Sequence, residues 1–301
     1  MRKIQTLLAA LAVAGAVAVT PGNAAGQWSP NGRREIDTTF FFSKIGTVVV
    51  GNGAATVIVT GWDQASIRVK AHTDAGGFKF EAASARVLVE STTQRDSAVI
   101  YITVPRGVRV VSRTNTGSIT VKDTWGDVDA ESSAGKIVVV GARDVEATNL
   151  SGDLEVRQAS GAVTLSSNNG DCVVSEVKGS VEASSVSGDV TVRKSWSKIV
   201  RLETTNGTIQ FESEVLPDGR YEFITHDGAI LLALAKTANA QIGITTWSGA
   251  VESEFPIAVR PGFSADSVGT KRFTLTLGQG SARITAETFS GDVSITSSGG
   301  K

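Results

Sequence analysis

Residues 145–192 read VEATNLSGDLEVRQASGAVTLSSNNGDCVVSEVKGSVEASSVSGDVTV, and a Ser-Gly-Asp or Asn-Gly-Asp triplet recurs in them every 18 residues. Nine glycines continue this repeat to the end of the chain: Gly117, Gly135, Gly152, Gly170, Gly188, Gly207, Gly228, Gly249 and Gly291. The first six are 17 to 19 residues apart, the next two intervals are 21, and the last is 42, twice 21. A repeat of this length is typical of stacked architectures, in which each unit contacts only its neighbours.

Four almost wholly apolar columns flank the glycines, seven and five residues before each glycine and two and four residues after it. In the unit of Gly152 these residues are Val145, Ala147, Leu154 and Val156. The two columns before the glycine are two residues apart, as are the two columns after it, and together the four columns are rich in β-branched side chains. This spacing predicts two short strands per unit, each with one buried face.

A column of small polar residues lies three positions before each glycine. Its members are Thr114, Ser132, Asn149, Ser167, Ser185, Thr204, Thr225, Thr246 and Thr288. They precede a corner at which glycine can adopt the positive φ that other residues resist. We expect the stacked hydroxyl and amide groups to satisfy backbone groups from one unit to the next, as a buried corner requires.

These patterns predict an all-β fold: a parallel β-solenoid of rungs of roughly 18–21 residues, with two short strands per rung. A two-sheet β-sandwich is the alternative, because short strands with glycine turns also suit that fold. The solenoid is favoured because a sandwich does not need the same residue type in the same column nine times.

The first 25 residues have the pattern of a secretory signal peptide. Arg2 and Lys3 precede an apolar stretch from Leu7 to Val19, and small residues follow it. The apolar stretch is too short for a transmembrane helix, and no later stretch reaches about 18 apolar residues. The sequence therefore predicts an exported protein without a transmembrane segment, which is periplasmic or extracellular at the cell surface after cleavage.

The rest of the chain divides into two parts. Residues 26–110 are predicted to form less regular β rungs or a short antiparallel cap, with strands at 47–50, 56–59, 67–70, 86–89 and 99–102. Residues 111–301 are predicted to form the regular solenoid, interrupted by an excursion near 255–280. Within that excursion, Phe273, Leu275 and Leu277 are expected to form the strand of one degenerate rung.

Charge and cysteine content exclude some classes of protein. The formal net charge is −1, and it becomes −3 without Arg2 and Lys3, which argues against a nucleic-acid partner. The single cysteine, Cys172, cannot form an internal disulfide. It occupies an inward apolar column between Leu154 and Val190, so we interpret it as a small buried hydrophobic residue rather than a reactive thiol.

Several segments resemble the bacterial putative-adhesin family, a domain of unknown function with β-strand repeats. The similar segments are Val57–Asp63 (VIVTGWD), Ile102–Gly107 (ITVPRG) and the Ser-Gly-Asp repeats, including the closing Ser290–Ile295 (SGDVSI). The resemblance covers nearly the whole chain after the signal peptide. It implies a fold and an interaction at the cell surface or envelope, but it brings no catalytic or binding residues.

Three aspartates, Asp153, Asp171 and Asp189, follow the glycine in consecutive units and are expected to stack as a ladder. Like charges so placed repel one another unless they are screened or bridged. A calcium ion would bridge them, and this is the one cofactor that the sequence suggests. The alternative, which we favour, is that each aspartate caps the corner backbone in contact with water.

Three tryptophans are candidate ligand-binding residues. Trp125 and Trp196 fall in the connections between rungs, away from the glycine corner, and Trp247 falls at an outward position. Exposed indoles can stack on sugar rings through their apolar faces. The alternative is that each tryptophan covers an edge of the solenoid or packs on a neighbouring loop.

Catalytic residues are not predicted. His72 and His226 are the only histidines, and neither has a nucleophile or a metal-ligand spacing beside it. The sequence therefore favours an adhesin-like binder or structural scaffold of the envelope, whose partner is an envelope polysaccharide or a protein. The alternative is a polysaccharide lyase or hydrolase on a β-helix, and a groove with clustered acids on one flank would favour that function.

Overall fold

The computed structural model describes residues 34–51, 53–74, 76–92, 98–256 and 270–298. These residues form two sheets of 13 strands each around one apolar core, and they contain no helix. In the regular part, consecutive strands alternate between the two sheets, so each rung contributes one strand to each sheet. The predicted parallel β-solenoid is therefore confirmed. No helix able to cross a bilayer occurs in the part of the chain that the structure describes.

The N-terminal part contains both rungs and an antiparallel cap. Its strands are β1 (Glu35–Phe41), β2 (Thr47–Gly51), β3 (Ala55–Trp62), β4 (Ser66–Thr73), β5 (Phe78–Ala83), β6 (Arg86–Ser91) and β7 (Ala98–Pro105). Strands β2 and β3 form one rung and β6 and β7 another, and the two rungs stack through the parallel pairs β2–β6 and β3–β7. Strand β4 pairs antiparallel with β7 and β1, and β5 pairs antiparallel with β6. All five predicted strands are present, and β1 and β5 were not predicted. The predicted signal peptide lies outside the described residues.

Seven rungs then follow in chain order. Their strands are β8 (Arg109–Thr116), β9 (Ile119–Lys122), β10 (Val128–Ala134), β11 (Ile137–Ala142), β12 (Val145–Ser151), β13 (Leu154–Ala159), β14 (Val163–Asn169), β15 (Cys172–Ser175), β16 (Val181–Ser187), β17 (Val190–Arg193), β18 (Ile199–Asn206), β19 (Ile209–Glu212), β20 (Arg220–Asp227) and β21 (Ile230–Ala235). Equivalent residues pair in register, as Leu154, Cys172 and Val190 do across β13, β15 and β17. Cys172 is buried, as predicted.

The last rung is inserted out of chain order. The remaining strands are β22 (Ala240–Thr246), β23 (Val251–Ser253), β24 (Lys271–Leu277), β25 (Ala282–Thr288) and β26 (Val293–Ser298). In one sheet β25 pairs with β20 on one side and β22 on the other, and in the second sheet β26 lies between β21 and β23. The rung of Gly291 therefore stacks between those of Gly228 and Gly249.

Phe273, Leu275 and Leu277 lie in β24, so the predicted strand exists, but the prediction that it forms a rung is wrong. β24 runs antiparallel to β22 at the edge of its sheet. The reversed direction has a topological reason, because it returns the chain to the side of the sheet from which the parallel strand β25 starts. Residues 257–269 of the predicted excursion lie outside the described residues.

The glycine corner is built by close contact between rungs. At Gly135, φ is +141°, and a Cβ atom would collide with the carbonyl oxygen of Gly117. At Gly207, where φ is not in the left-handed region, a Cβ would still collide with the carbonyl oxygen of Gly188. The small polar column completes the corner, since the Thr204 hydroxyl donates to that same Gly188 carbonyl at 2.9 Å. The predicted rung-to-rung hydrogen bonding is confirmed.

Candidate ligand-binding surface at the glycine corner

Three aromatic rings stack on the outside of the corner near the C-terminal end of the solenoid. The rings of His226 and Phe289 are 4.9 Å apart between centroids and 18° from parallel. The rings of Phe289 and Trp247 are 5.9 Å apart and 10° from parallel. We call His226, Phe289 and Trp247 the aromatic stack.

The inserted rung is what assembles the aromatic stack. Each of its members lies two residues before the glycine of its rung, where the side chain points away from the core. Backbone hydrogen bonds fix the three corners, because the Trp247 N–H donates to the Phe289 carbonyl at 3.2 Å and the Ser290 N–H donates to the His226 carbonyl at 3.0 Å. Phe289 thereby lies between two rings that precede it in the chain.

A carboxylate accompanies the aromatic stack. The Ser290 hydroxyl donates a hydrogen bond to Asp227, and His226 Nδ1 lies 3.0 Å from Asp227 Oδ2. The hydrogen bond from Ser290, and then that from His226, lower the pKa of Asp227. The corner therefore presents an ionised carboxylate and a hydroxyl beside apolar rings.

The aromatic stack leaves a large apolar surface in contact with water. Trp247 is 47% exposed and Phe289 is 48% exposed. Trp247 ends the stack, so its face opposite Phe289 is covered by no other described ring. Apolar ring faces with polar groups at their border suit ligands that have both kinds of surface, such as sugars. Exposed apolar groups concentrated in this way mark interaction sites more often than isolated ones do.

Trp247 was predicted from the sequence as a candidate site residue, but its two partners were not. Phe289 was not considered, and His226 was considered only as a candidate for catalysis or metal binding. The signal was present, because His226, Trp247 and Phe289 occupy the same outward column of the repeat. Three aromatic rings at the equivalent outward position of three repeats are therefore the sequence signal of the aromatic stack.

Trp125 and Trp196 do not join this surface. They lie on the opposite edge, in the connections β9–β10 and β17–β18, as the sequence predicted, and both are about half exposed. Four rungs separate them, which corresponds to about 19 Å at the usual strand spacing. The structure therefore brings neither tryptophan into contact with the other or with Trp247.

The aspartate ladder forms hydrogen bonds from rung to rung. Asp153 accepts from the backbone N–H of Asp171 at 3.3 Å, Asp171 accepts from that of Asp189 at 2.9 Å, and Asp189 accepts from that of Thr208 at 2.7 Å. Each carboxylate thus caps the corner of the next rung. Among the described residues, no group of three or more His, Cys, Asp or Glu side chains is arranged to hold a metal ion.

The outward charged residues of the two sheets form ion pairs between neighbouring strands. Lys136 Nζ is 2.8 Å from Glu155 Oε2, and Arg201 Nη1 is 2.6 Å from Glu222 Oε2. The hydrogen bond from Lys136 is the main cause that lowers the pKa of Glu155, with Arg157 contributing further. His72 is exposed and lies 3.3 Å from Asp74. These pairs fit a solvated, ordered face, which is the ordinary role of such residues.

Comparison with known proteins places the chain among β-repeat proteins. The family model described as Toastrack DUF4097 matches residues 44–296. No curated protein matches the chain. Similar solved structures include a putative adhesin from Bacteroides fragilis, at 10% identity and a TM-score of 0.39, covering 88% of this chain and 98% of that one. A putative cell adhesion protein from Clostridium sporogenes has 8% identity and a TM-score of 0.24, covering 88% and 100%. A putative adhesin from Parabacteroides merdae has 8% identity and a TM-score of 0.27, covering 88% and 97%.

Proposed function

The chain belongs to the Toastrack DUF4097 family, and from this premise we propose that it is an exported, adhesin-like binder without catalytic activity. In this proposal the solenoid is a rigid support at the cell envelope, either in the periplasm or on the surface. The signal-peptide pattern of residues 1–25 supports export. The partner is an envelope polysaccharide or protein that the glycine corner holds.

The aromatic stack carries this proposal. Its rings are exposed, nearly parallel and fixed by backbone hydrogen bonds between rungs, so a ligand does not have to order them. A preorganised surface binds more tightly than a mobile one, because less conformational entropy is lost on binding. Asp227 and Ser290 lie beside the rings and can hydrogen-bond polar groups of the partner.

Co-sedimentation tests the proposed function. The purified protein is incubated with isolated cell-wall sacculi, outer-membrane vesicles and insoluble polysaccharides, and the pelleted fraction is measured against protein concentration. Saturable sedimentation with at least one of these materials is expected. Absence of sedimentation with all of them would contradict the proposal of an envelope binder.

A pair of double variants locates the binding surface. Trp247→Ala with Phe289→Ala removes two rings of the aromatic stack, and we expect sedimentation to fall at least tenfold, as for aromatic anchors that a partner buries on binding. Trp125→Ala with Trp196→Ala is the matched control, since it removes two equally exposed rings from the opposite edge. Loss of binding in the control and not in the first variant would move the site to that edge.

A further inference from the structure

A glycine without a structural role lies in the middle of β22. Gly243 pairs in continuous register with Thr274 of β24 and Thr285 of β25, so the strand has no bulge there. Its φ is outside the left-handed region, and a Cβ atom built on it would have no described atom within 4 Å. Glycine weakens a strand interior, and where it persists it often marks the close approach of a ligand.

Gly243 lines a depression of about 400 Å³ on the outer face of the sheet. We call this depression the glycine notch. Its lining includes Gly243, Thr245, Thr274, Thr285 and Arg272. The three threonines are partly buried, and none of their hydroxyls makes a hydrogen bond to another described residue. The notch is therefore a concave surface with three free hydroxyls and one guanidinium.

Three arginine side chains lie on the sheet face that carries the glycine notch. Arg272 forms no ion pair within the described part of the chain, and neither do Arg283 and Arg220, which lie side by side on β25 and β20. Two like charges in register on neighbouring strands are unfavourable unless an anion lies between or beside them. Two carboxylates face the same surface: Glu287 from the register position of Thr245, and Glu222, which is paired with Arg201, from the register position of Thr285.

The glycine notch and the aromatic stack are parts of one surface. Thr245 and Trp247 follow Gly243 on the outward side of the same strand and corner, so about 13 Å of extended chain connects the notch with the indole. Along this line lie an apolar ring face, hydroxyl groups and a cation. This order of groups complements a chain of sugar rings that carries acidic substituents.

We propose that the glycine notch is the specificity site of the binder, and that it takes an acidic saccharide, with a carboxylate paired to Arg272 and a neighbouring sugar ring on Trp247. The inference rests on the proposed function and assigns its ligand class. The threonine hydroxyls and Glu287 bind the hydroxyl groups of the sugar. The absence of a side chain at position 243 lets the saccharide approach the sheet backbone.

Filling the notch tests the proposal without damaging the core. Gly243→Val adds a β-branched side chain where there is open space, so we expect the fold and its unfolding midpoint to be kept or improved. The probe is a galacturonic acid tetramer, measured by calorimetric titration, with the methyl-esterified tetramer as the uncharged ligand. Ser166→Val, at an exposed position of β14 in the same sheet, is the control variant.

We expect the acidic tetramer to bind and the esterified one to bind at least tenfold more weakly, since a charge-assisted hydrogen bond is lost. Gly243→Val and Arg272→Gln should each weaken binding by about tenfold or more, and Ser166→Val should not change it. Equal affinity of Gly243→Val and wild type, or of the two tetramers, would overturn the proposal.

The outcome is distinguishable from failure of the proposed function. If wild type sediments with envelope material and Gly243→Val sediments equally well, the binder function holds and the acidic-saccharide site is overturned. If wild type neither sediments with envelope material nor binds the acidic tetramer, both proposals fail.

Discussion

The indole of Trp247 lies nearly parallel to the ring of Phe289, with centroids 5.9 Å apart, although the strands β23, β24 and β25 lie between the two residues along the chain. This contact exists because the last rung is inserted beside β22 rather than added after it. The stacking order of the rungs therefore differs from their order in the chain, and it is the stacking order that brings these exposed rings together.

Stacking predicts an energetic coupling between these two rings. In a double-mutant cycle of Trp247→Ala and Phe289→Ala, we expect a coupling of about 0.5–1.5 kcal/mol in the free energy of unfolding. Urea denaturation measures it. The same cycle for Trp125→Ala and Trp196→Ala should be additive, since four rungs separate those residues. Additivity in both cycles would contradict the stacked arrangement.

A Gly→Ala substitution is expected to have opposite effects on the stability of the fold at a corner glycine and at Gly243. Gly207→Ala places a methyl group against the Gly188 carbonyl, and we expect it to destabilise the fold by more than about 1 kcal/mol. Gly243→Ala meets open space and should stabilise the fold by up to about 1 kcal/mol. Neither glycine has a φ in the left-handed region, so the comparison isolates the collision. Equal unfolding midpoints would show that the rungs are not so closely stacked.

Val190 tests the assignment of the inward columns. Its side chain is fully buried in the middle of the stack, so Val190→Asp places an unpaired charge in the core. We expect the free energy of unfolding to fall by more than about 4 kcal/mol and unfolding to lose its cooperativity. Circular dichroism during heating measures the transition. Ser166→Asp, at an exposed position of β14 whose register partners are the uncharged Thr148 and Ser184, is the control and should melt close to wild type. Similar melting of both variants would refute the assignment.

The buried thiol of Cys172 is expected to react slowly with an alkylating reagent and to make the stability of the fold depend on pH. Burial, with smaller contributions from Asp171 and Asp153, raises the pKa of its thiol to about 12. Iodoacetamide at pH 8 should therefore label the folded protein far more slowly than the protein in urea. Because the folded pKa is raised, this stabilising contribution is complete below the unfolded pKa of 9.0 and is lost as the pH rises toward 12.

A Cys172→Ala variant is the control for the pH dependence. Its free energy of unfolding should fall less between pH 8 and pH 10.5 than that of wild type. Labelling of native Cys172 at the unfolded rate would mean that the middle of the solenoid is open to solvent.

Sequence periodicity predicted the fold because stacking imposes the same environment on every rung. Val156, Val174 and Val192 repeat because each faces the same core. The insertion of the Gly291 rung could not be predicted, since its glycine and apolar columns suit any neighbouring rung equally well. Strand β5 was missed because its partner β6 lies at the end of the stack, where the regular repeat is absent.

The candidate site was predicted only in part, for a related reason. Trp247 could be named as an exposed indole, but its contact with Phe289 depends on which rung lies beside which. Gly243 was not predicted as a site residue, because it lies outside the glycine repeat. The open space beside it exists only in the assembled sheet. A surface site formed by neighbouring rungs can be predicted only when the stacking order of the rungs is known, and the sequence columns do not specify that order.

Hydrogen–deuterium exchange shows whether the partner binds at the C-terminal end of the glycine corner. Exchange is measured for the free protein and for the protein bound to the envelope material that sediments it. We predict that binding slows exchange in peptides covering β22, β24, β25 and the corners of Trp247 and Phe289. Protection confined to the opposite edge, at the connections that hold Trp125 and Trp196, would contradict the account.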